Sequence, residues 1–292
     1  MSKTPSILVC GKNKVCADTL EVLRRKLPDH TIVYVFADKD ETSARVARDV
    51  AHRLGIESRG VRNAEAFART YFEIDPTLLL SVQFSIILRH DIIEHGGDRL
   101  INLHFSPLPR YRGMAPITLA ILNGDATFGV SLHIIDAGID TGALVDQETF
   151  AIEGRSNREV YSLCEQAGVR LIERNAAIFG AVTATRGLSG MAAVQDDAAA
   201  TYFSKTDIDY ARTEIDFNRT AAQIDRHVRA YLFPPNLYAR ITVSDRRFRV
   251  LQPPEVGARC TDRKPGLVVQ SDPLTVTTRD RILIFRQTEE DA

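Results

Sequence analysis

Residues 101–142, INLHFSPLPRYRGMAPITLAILNGDATFGVSLHIIDAGIDTG, hold nearly all of the chemistry readable in this chain. The apolar run Leu100, Ile101 and Leu103 predicts a strand, and strand alternation puts Asn102 and His104 on one face of it. Pro107 and Pro109 remove backbone donors and predict an extended loop closing at Gly113. Asn102 and His104 are therefore expected at the C-terminal end of a strand, where open α/β sheets bind ligands. One helix and one strand later, Asp136, Gly138, Asp140 and Gly142 alternate with small or apolar residues, a pattern for a loop that returns a carboxylate to the histidine. Each piece alone reads as a turn or a strand end. Together they supply an amide donor, a titratable imidazole and a carboxylate to orient it, a set suited to acid–base work on a carbonyl.

Upstream of this stretch, strand and helix alternate. Ser6 to Cys10 reads as a buried strand ending at Gly11, and Leu20, Leu23 and Leu27 recur at helical spacing until Pro28. Thr31 to Ala37 is the next strand, Val46, Val50 and Leu54 line one face of a second helix that stops at Gly55, and Thr77 to Val82 is a further strand. This order implies an α/β fold, a Rossmann-like and mostly parallel sheet with helices on both faces. The loop GKNKVC after the first strand lacks Gly-x-Gly-x-x-Gly, which argues against a nicotinamide dinucleotide. Lys12 and Asn13 remain candidates for touching a phosphate, with an exposed polar turn as the plainer reading.

Downstream, Ala143 to Phe150 reads as a strand, and Ser156 with Glu159 forms a capping box that opens a long helix carrying Val160, Leu163, Ala167 and Leu171. A catalytic domain is expected over 1–186, a Gly-, Ala-, Ser- and Asp-rich linker over 187–204 and a smaller β-rich domain over 205–292. In that last part Ile224, Val228 and Tyr231 mark a helix ended by Pro234 and Pro235, and hairpin-like strands follow.

The 292 residues, 44% hydrophobic, are enough for two modest cores, and a net charge of -1 provides no global field for a polyanion such as tRNA or DNA. Cys10, Cys16, Cys164 and Cys260 lack metal-ligand spacing and read as reduced thiols of a cytosolic protein. His90 and His95, with Asp91 and Glu94, fit the outer face of a helix better than a metal site. The chain has no run of roughly 18 apolar residues, and MSKTPSILVCG has no small-residue cleavage site, so a cytoplasmic protein without membrane attachment is expected.

The segments NLHFSPLPRYRG and DAGIDTG resemble the 10-formyltetrahydrofolate-dependent formyltransferases, a family that includes methionyl-tRNA, glycinamide ribonucleotide and amino-sugar formyltransferases. The resemblance runs from residue 6 to about 240. It implies Asn102, His104 and Asp140 as catalytic residues, with 10-formyltetrahydrofolate as the formyl donor and no metal. It also implies a pterin pocket lined by Gln83, Phe84, Ile87 and Leu88 of SVQFSIIL together with Asp136 and Ile139. Acceptor contacts are expected from Lys12, Asn13, Arg110, Tyr111, Arg112, Gly113 and Lys205, with bracing of the loop as the equal alternative for Arg110 and Arg112. In the mechanism expected here, Asp140 raises the pKa of His104, so that a protonated His104 joins Asn102 as a donor to the oxyanion.

The segment AYLFPPNLY resembles that of amino-sugar formyltransferases, where an aromatic ring stacks on the base of a sugar nucleotide, so Tyr231 or Phe233 is the expected ring. A nucleotide-linked amino sugar is the favoured acceptor. The alternatives are methionyl-tRNA, an amino acid such as hydroxyornithine, and a non-catalytic folate-binding regulatory role, which the intact Asn102, His104 and Asp140 set opposes. On this resemblance a tRNA enzyme carries a basic insertion after the second strand, whereas ADKDETSARVARD is short and mixes acids with bases. Residues 205–292 hold 15 Lys and Arg against 13 Asp and Glu, little for a domain that grips a folded RNA, although Arg240, Arg246, Arg247, Arg249, Arg263 and Lys264 keep tRNA open. A homodimer is compatible with this reading.

Overall fold

Six consecutive residues with no exposed side chain, Ser6–Gly11, form β1, as a strand covered on both faces requires. The computed structural model describes residues 5–211, 213–243 and 245–290, so the first residues of MSKTPSILVCG lie outside it. After β1 come α1 (Asn13–Lys26), β2 (Thr31–Ala37), α2 (Glu41–Arg53), β3 (Glu57–Val61), α3 (Ala64–Ile74), β4 (Leu78–Val82), α4 (His90–Gly96), β5 (Leu100–His104) and β6 (Arg112–Gly113). The chain continues through α5 (Pro116–Asn123), β7 (Thr127–Ile134), β8 (Leu144–Ala151), α6 (Asn157–Gly180), β9 (Tyr202–Phe203) and α7 (Ala221–Ala230). It ends with β10 (Arg240–Val243), β11 (Arg246–Val250), β12 (Glu255–Arg259), β13 (Val268–Ser271), β14 (Leu274–Thr277), β15 (Arg281–Phe285) and β16 (Thr288–Glu290).

Seven strands form one sheet in the order β3-β2-β1-β4-β5-β7-β8, parallel from β3 to β5 and antiparallel between β5 and β7. This is the mostly parallel, Rossmann-like sheet expected from the alternation of elements. Gly11 pairs with Val82 and Val82 with Leu103, so Lys12, Gln83 and His104 line up along one edge of the sheet. The approach at Gly11 demands glycine, because a Cβ there would stand 1.8 Å from the Val82 carbonyl oxygen. Leu8, Cys10, Val33, Val35, Phe67, Tyr71, Leu79 and Ile92 pack into one apolar cluster against the sheet. Glu159 accepts from both the backbone N–H (2.7 Å) and the hydroxyl (2.6 Å) of Ser156, as the expected capping box requires.

Three details differ from the sequence reading. The buried face of α2 is Ala44, Ala47 and Ala51 rather than Val46, Val50 and Leu54, and Val46 is 51% exposed. Small residues there let α2 lie close against α1. β3 and α3 escaped the reading because only Val61 of ESRGV is buried, as befits an edge strand with little apolar signal. Finally, the chain divides into two compact units that are not contiguous in sequence. One holds residues up to Gly113, Gly129–Thr149 and Leu163–Tyr202; the other holds Met114–Phe128, Phe150–Ser162 and the chain from Phe203 on. The linear boundaries 1–186, 187–204 and 205–292 do not anticipate this exchange. The stretch expected as a linker buries Leu188 and Gln195 and pairs Ala193 with Leu144 inside the first unit.

The second unit has two antiparallel sheets, β10-β11-β16 and β12-β15-β14-β13, and α5 packs on α7 within it. Among the described residues no helix is long and apolar enough to cross a membrane.

Candidate active site

Asn102 and His104 project from one face of β5, and the antiparallel register sets His133 of β7 directly opposite Asn102. The Asn102 Nδ2 lies 3.1 Å from His133 Nε2. His133 Nδ1 is 2.8 Å from the Ile134 carbonyl, which only accepts, so Nδ1 carries the proton and neutral Nε2 accepts from Asn102. This fixes the amide and leaves its second N–H to point elsewhere.

The loop between β7 and β8 brings Asp140 over this face. Its Oδ2 accepts from the Gly113 N–H (2.9 Å) and lies 3.6 Å from His104 Nδ1, and its Oδ1 is 3.4 Å from His133 Nε2. Asp136 shapes the loop by accepting from Gly138 N (3.1 Å) and Thr141 Oγ1 (2.6 Å), an Asx turn. Gly142 is required where it stands, since a Cβ would meet the Ile134 carbonyl oxygen at 1.9 Å. On the other side, Ser131 Oγ donates to the Ser106 carbonyl (2.7 Å) and accepts from Leu108 N (3.1 Å), which pins the proline loop to β7.

The protonation states follow from burial. His104 lies below the ordinary histidine value: burial lowers it, Asp140 raises it and His133 lowers it again. The expectation of a protonated His104 is therefore corrected, because loss of water around the ring outweighs the single carboxylate beside it. Its Nε2–H donates to the Tyr111 carbonyl (3.1 Å), leaving the Nδ1 lone pair turned to Asp140. Burial pushes Asp140 up, but the His133 ring beside it, the charge of His104 and the Gly113 amide bring it down to about 2. An unprotonated imidazole nitrogen and a carboxylate thus stand together beside a free amide N–H. They can take up a proton while the amide donates to an oxygen.

The sequence matches the formyl transferase family over residues 6–173 and that family's C-terminal domain over residues 207–292. This chain belongs to the formyl transferase family. It is 31% identical over 241 residues to a methionyl-tRNA formyltransferase of Pseudomonas paraeruginosa, covering 77% of this chain and 73% of the relative. The same enzyme of Pseudomonas fluorescens is 31% identical over 247 residues. Among solved structures, the fold is shared with an N-formyltransferase of Helicobacter canadensis in complex with folinic acid and dTDP-3-aminofucose (TM-score 0.76, 21% identity, 98% of this chain and 100% of the other). It is shared also with the sugar 3N-formyl transferase WlaRD, solved in the presence of dTDP and 5-N-formyl-THF (TM-score 0.75, 22% identity, 99% and 98%).

The first unit of this formyl transferase brings Asn102, His104, Asp140 and Gly113 together and adds His133, which the sequence reading missed. The signal was present, since His133 follows Ser131 at strand spacing in SLHIID, but its partner depends on a register that no local pattern encodes. Tyr111 is buried, and of the two readings of Arg112 the structure has the brace, at 8% exposure. Its guanidinium donates to Gln195 Oε1 (2.9 and 3.1 Å) and Asp197 Oδ1 (2.8 Å). Arg110 is exposed, with its guanidinium over the Tyr111 ring. At the β1 end, Lys12 pairs with Asp40 (2.9 Å), Asn13 is left-handed at φ 65°, and Asp40 also accepts from Ser85.

Gln83 is left-handed at φ 59°. Phe84 sits on Phe67 (centroids 4.9 Å apart), Leu88 packs on the apolar cluster, and Ile87 is 84% exposed. In the second unit Lys205 is exposed. Tyr231 is 5% exposed with His227 against its ring (4.7 Å), which removes it as a stacking platform, whereas Phe233 is half-buried beside Tyr161 and Arg158. Among the described residues no group of His, Cys, Asp and Glu is placed to hold a metal. His90 pairs with Glu94 and His95 meets Tyr71.

Proposed function

We propose that this chain is a cytosolic enzyme that transfers a formyl group from 10-formyltetrahydrofolate to the primary amine of a nucleotide-linked amino sugar. The observation that carries the formyl-transfer chemistry is the interlocked set Asn102, His133, Asp140 and His104. The donor supplies an electrophilic formyl carbon on a nitrogen leaving group. Asn102 is oriented to donate its second N–H to the formyl oxygen as charge develops there, a contribution of roughly 3–4 kcal/mol where such donors have been removed. His104 Nδ1, beside the Asp140 carboxylate, receives the proton that the attacking amine loses and holds it as an imidazolium facing Oδ2. It then delivers that proton to the departing nitrogen. One C–N bond forms, one breaks, and one proton moves from the amine to the leaving nitrogen.

Residues 83–88 lie outside regular secondary structure, which leaves peptide groups for the edge of a flat heterocycle. Ile87 and Ile139, 84% and 52% exposed, offer apolar surface to its faces. These features fit a pterin. For the acceptor, two sugar formyltransferases share the fold over nearly the whole chain. Three basic residues of the second unit are also paired with acids: Arg246 with Glu290, Arg247 with Glu214 and Arg249 with Glu289. A surface for tRNA needs cations free to replace counterions on phosphates.

Methionyl-tRNA is the second reading, favoured by the 31% identity to the Pseudomonas enzymes. Incubation of the protein with 10-formyltetrahydrofolate and, separately, amino-sugar nucleotides, amino acids and methionyl-tRNA, followed by mass spectrometry, decides between them. Gain of one formyl group on a sugar nucleotide is the expected result. Formylation of methionyl-tRNA alone overturns the acceptor, and formylation of nothing overturns the reading.

A further inference from the structure

Two catalytic loops of the site hold non-glycine residues in the left-handed region, Tyr111 at φ 62° and Asp140 at φ 55°. Such residues persist only where their surroundings impose the conformation. The segment that touches both loops is residues 195–201, which belongs to none of the catalytic motifs.

We propose that residues 195–201 form a strap across the site and that Gln195 is the positioning residue that holds Asp140 in its working conformation, an inference that rests on the formyl-transfer reading above. Gln195 is 6% exposed and commits both ends of its amide. Its Nε2 donates to the carbonyls of Asp140 (2.9 Å) and Gly142 (2.7 Å), gripping the loop on either side of the Asp140–Thr141 turn. Its Oε1 accepts twice from Arg112, and Arg112 reaches outward to Asp197. Six residues on, Thr201 holds the other loop: its hydroxyl accepts from Tyr111 N (2.7 Å), its carbonyl accepts from Arg112 N (2.9 Å) and its N–H donates to Pro109 (3.2 Å).

The Gly113 N–H to Asp140 Oδ2 contact closes a ring that runs from Gln195 through Arg112, Gly113 and Asp140 and back. Breaking the Gln195 amide leaves the Asp140 and Gly142 carbonyls without this donor. Without the strap, the backbone at Asp140 relaxes out of the left-handed region. Its carboxylate then turns away from His104 Nδ1 and His133 Nε2.

The test uses the full chain. Gln195→Glu keeps the acceptor for Arg112 but turns a carboxylate on the Asp140 and Gly142 carbonyls, and Gln195→Leu removes both. Wild-type transfer measured in parallel tests the reading itself, and the ratio of variant to wild type tests the strap. The expected result is a fall in kcat of about 100-fold, with the donor KM within about twofold, because the donor site is not what moves. The acid limb of the kcat profile should also move to lower pH, since a His104 imidazole that has lost the Asp140 carboxylate beside it protonates less readily. Thr201→Val, which removes one hydroxyl, is the milder probe for the case that Gln195→Leu does not fold, and it should show the same pattern at a few-fold. A folded Gln195→Glu protein with near-wild-type kcat overturns the proposal. So does a parallel loss in kcat, both KM values and thermal midpoint with an unmoved pH profile.

Discussion

On β5, β7 and the loop after β7, Asn102, His104, His133 and Asp140 are withdrawn from water and each is held by another member of the set. On β11 and β16, Arg246, Arg249, Glu289 and Glu290 pair in the open. The same kinds of groups do different work in the two places. In the first, a displaced member leaves its neighbour buried and unpaired, so geometry and protonation are coupled and a small shift has a large effect. In the second, water and salt replace a lost partner, and the pairs chiefly cancel charge.

The sharpest way to break this contrast is Asp140→Asn. Loss of roughly 10³-fold or more in kcat is expected, with donor binding by equilibrium titration unchanged. His104 lies below about 6.5 because burial outweighs the carboxylate, so kcat of the wild type should hold to a pH below that value before the imidazole protonates. Removing the carboxylate removes what raises His104, so the acid limb of the residual activity should move further down. A limb that moves up would show that another group titrates. Folding stability carries the same sign: both groups are depressed, so their contributions are present at neutral pH and lost on acidification. The loss begins below about 6.5 for His104 and between 3.8 and about 2 for Asp140.

His133→Phe comes next. It keeps the ring volume but leaves Asn102 without its acceptor, so the amide is free to turn, and kcat should fall by about 100-fold while the donor KM stays. Unchanged kcat would mean that the Asn102 orientation is set elsewhere. Smaller again is Phe233→Ala. If the ring stacks on a base, the acceptor KM rises by about tenfold with the donor KM untouched. Tyr231→Ala should instead lower the thermal midpoint, because that ring is buried. Equal shifts in both substrates for Phe233→Ala would assign it to packing alone. The smallest effect belongs to Arg247→Ala with Glu214→Ala, an exposed pair at 2.6 Å whose removal should change stability by less than about 1 kcal/mol and leave kcat alone.

How far the sequence reached can be judged from particular residues. The strand at Leu100–His104, the turn at Asp136–Gly142 and the capping box at Ser156 are local patterns, written in alternation, glycine and proline placement and side chain–backbone complementarity, and all were legible without coordinates. So was the choice of Asn102, His104 and Asp140 as one cluster, because the resemblance that groups them rests on contiguous motifs. Local pattern could not decide which strand lies opposite Asn102, because antiparallel register is a pairing between distant segments; hence His133 went unread. Nor could it decide that Arg112 turns inward to Gln195, or that Gln195 and Thr201 of a Gly- and Ala-rich stretch bond to the Asp140 and Tyr111 loops. Both depend on partners 53 or more residues away. The protonation of His104 belongs to the same class. Asp140 beside it could be anticipated, but the loss of water around the ring, which settles the sign, exists only once the chain has folded over it.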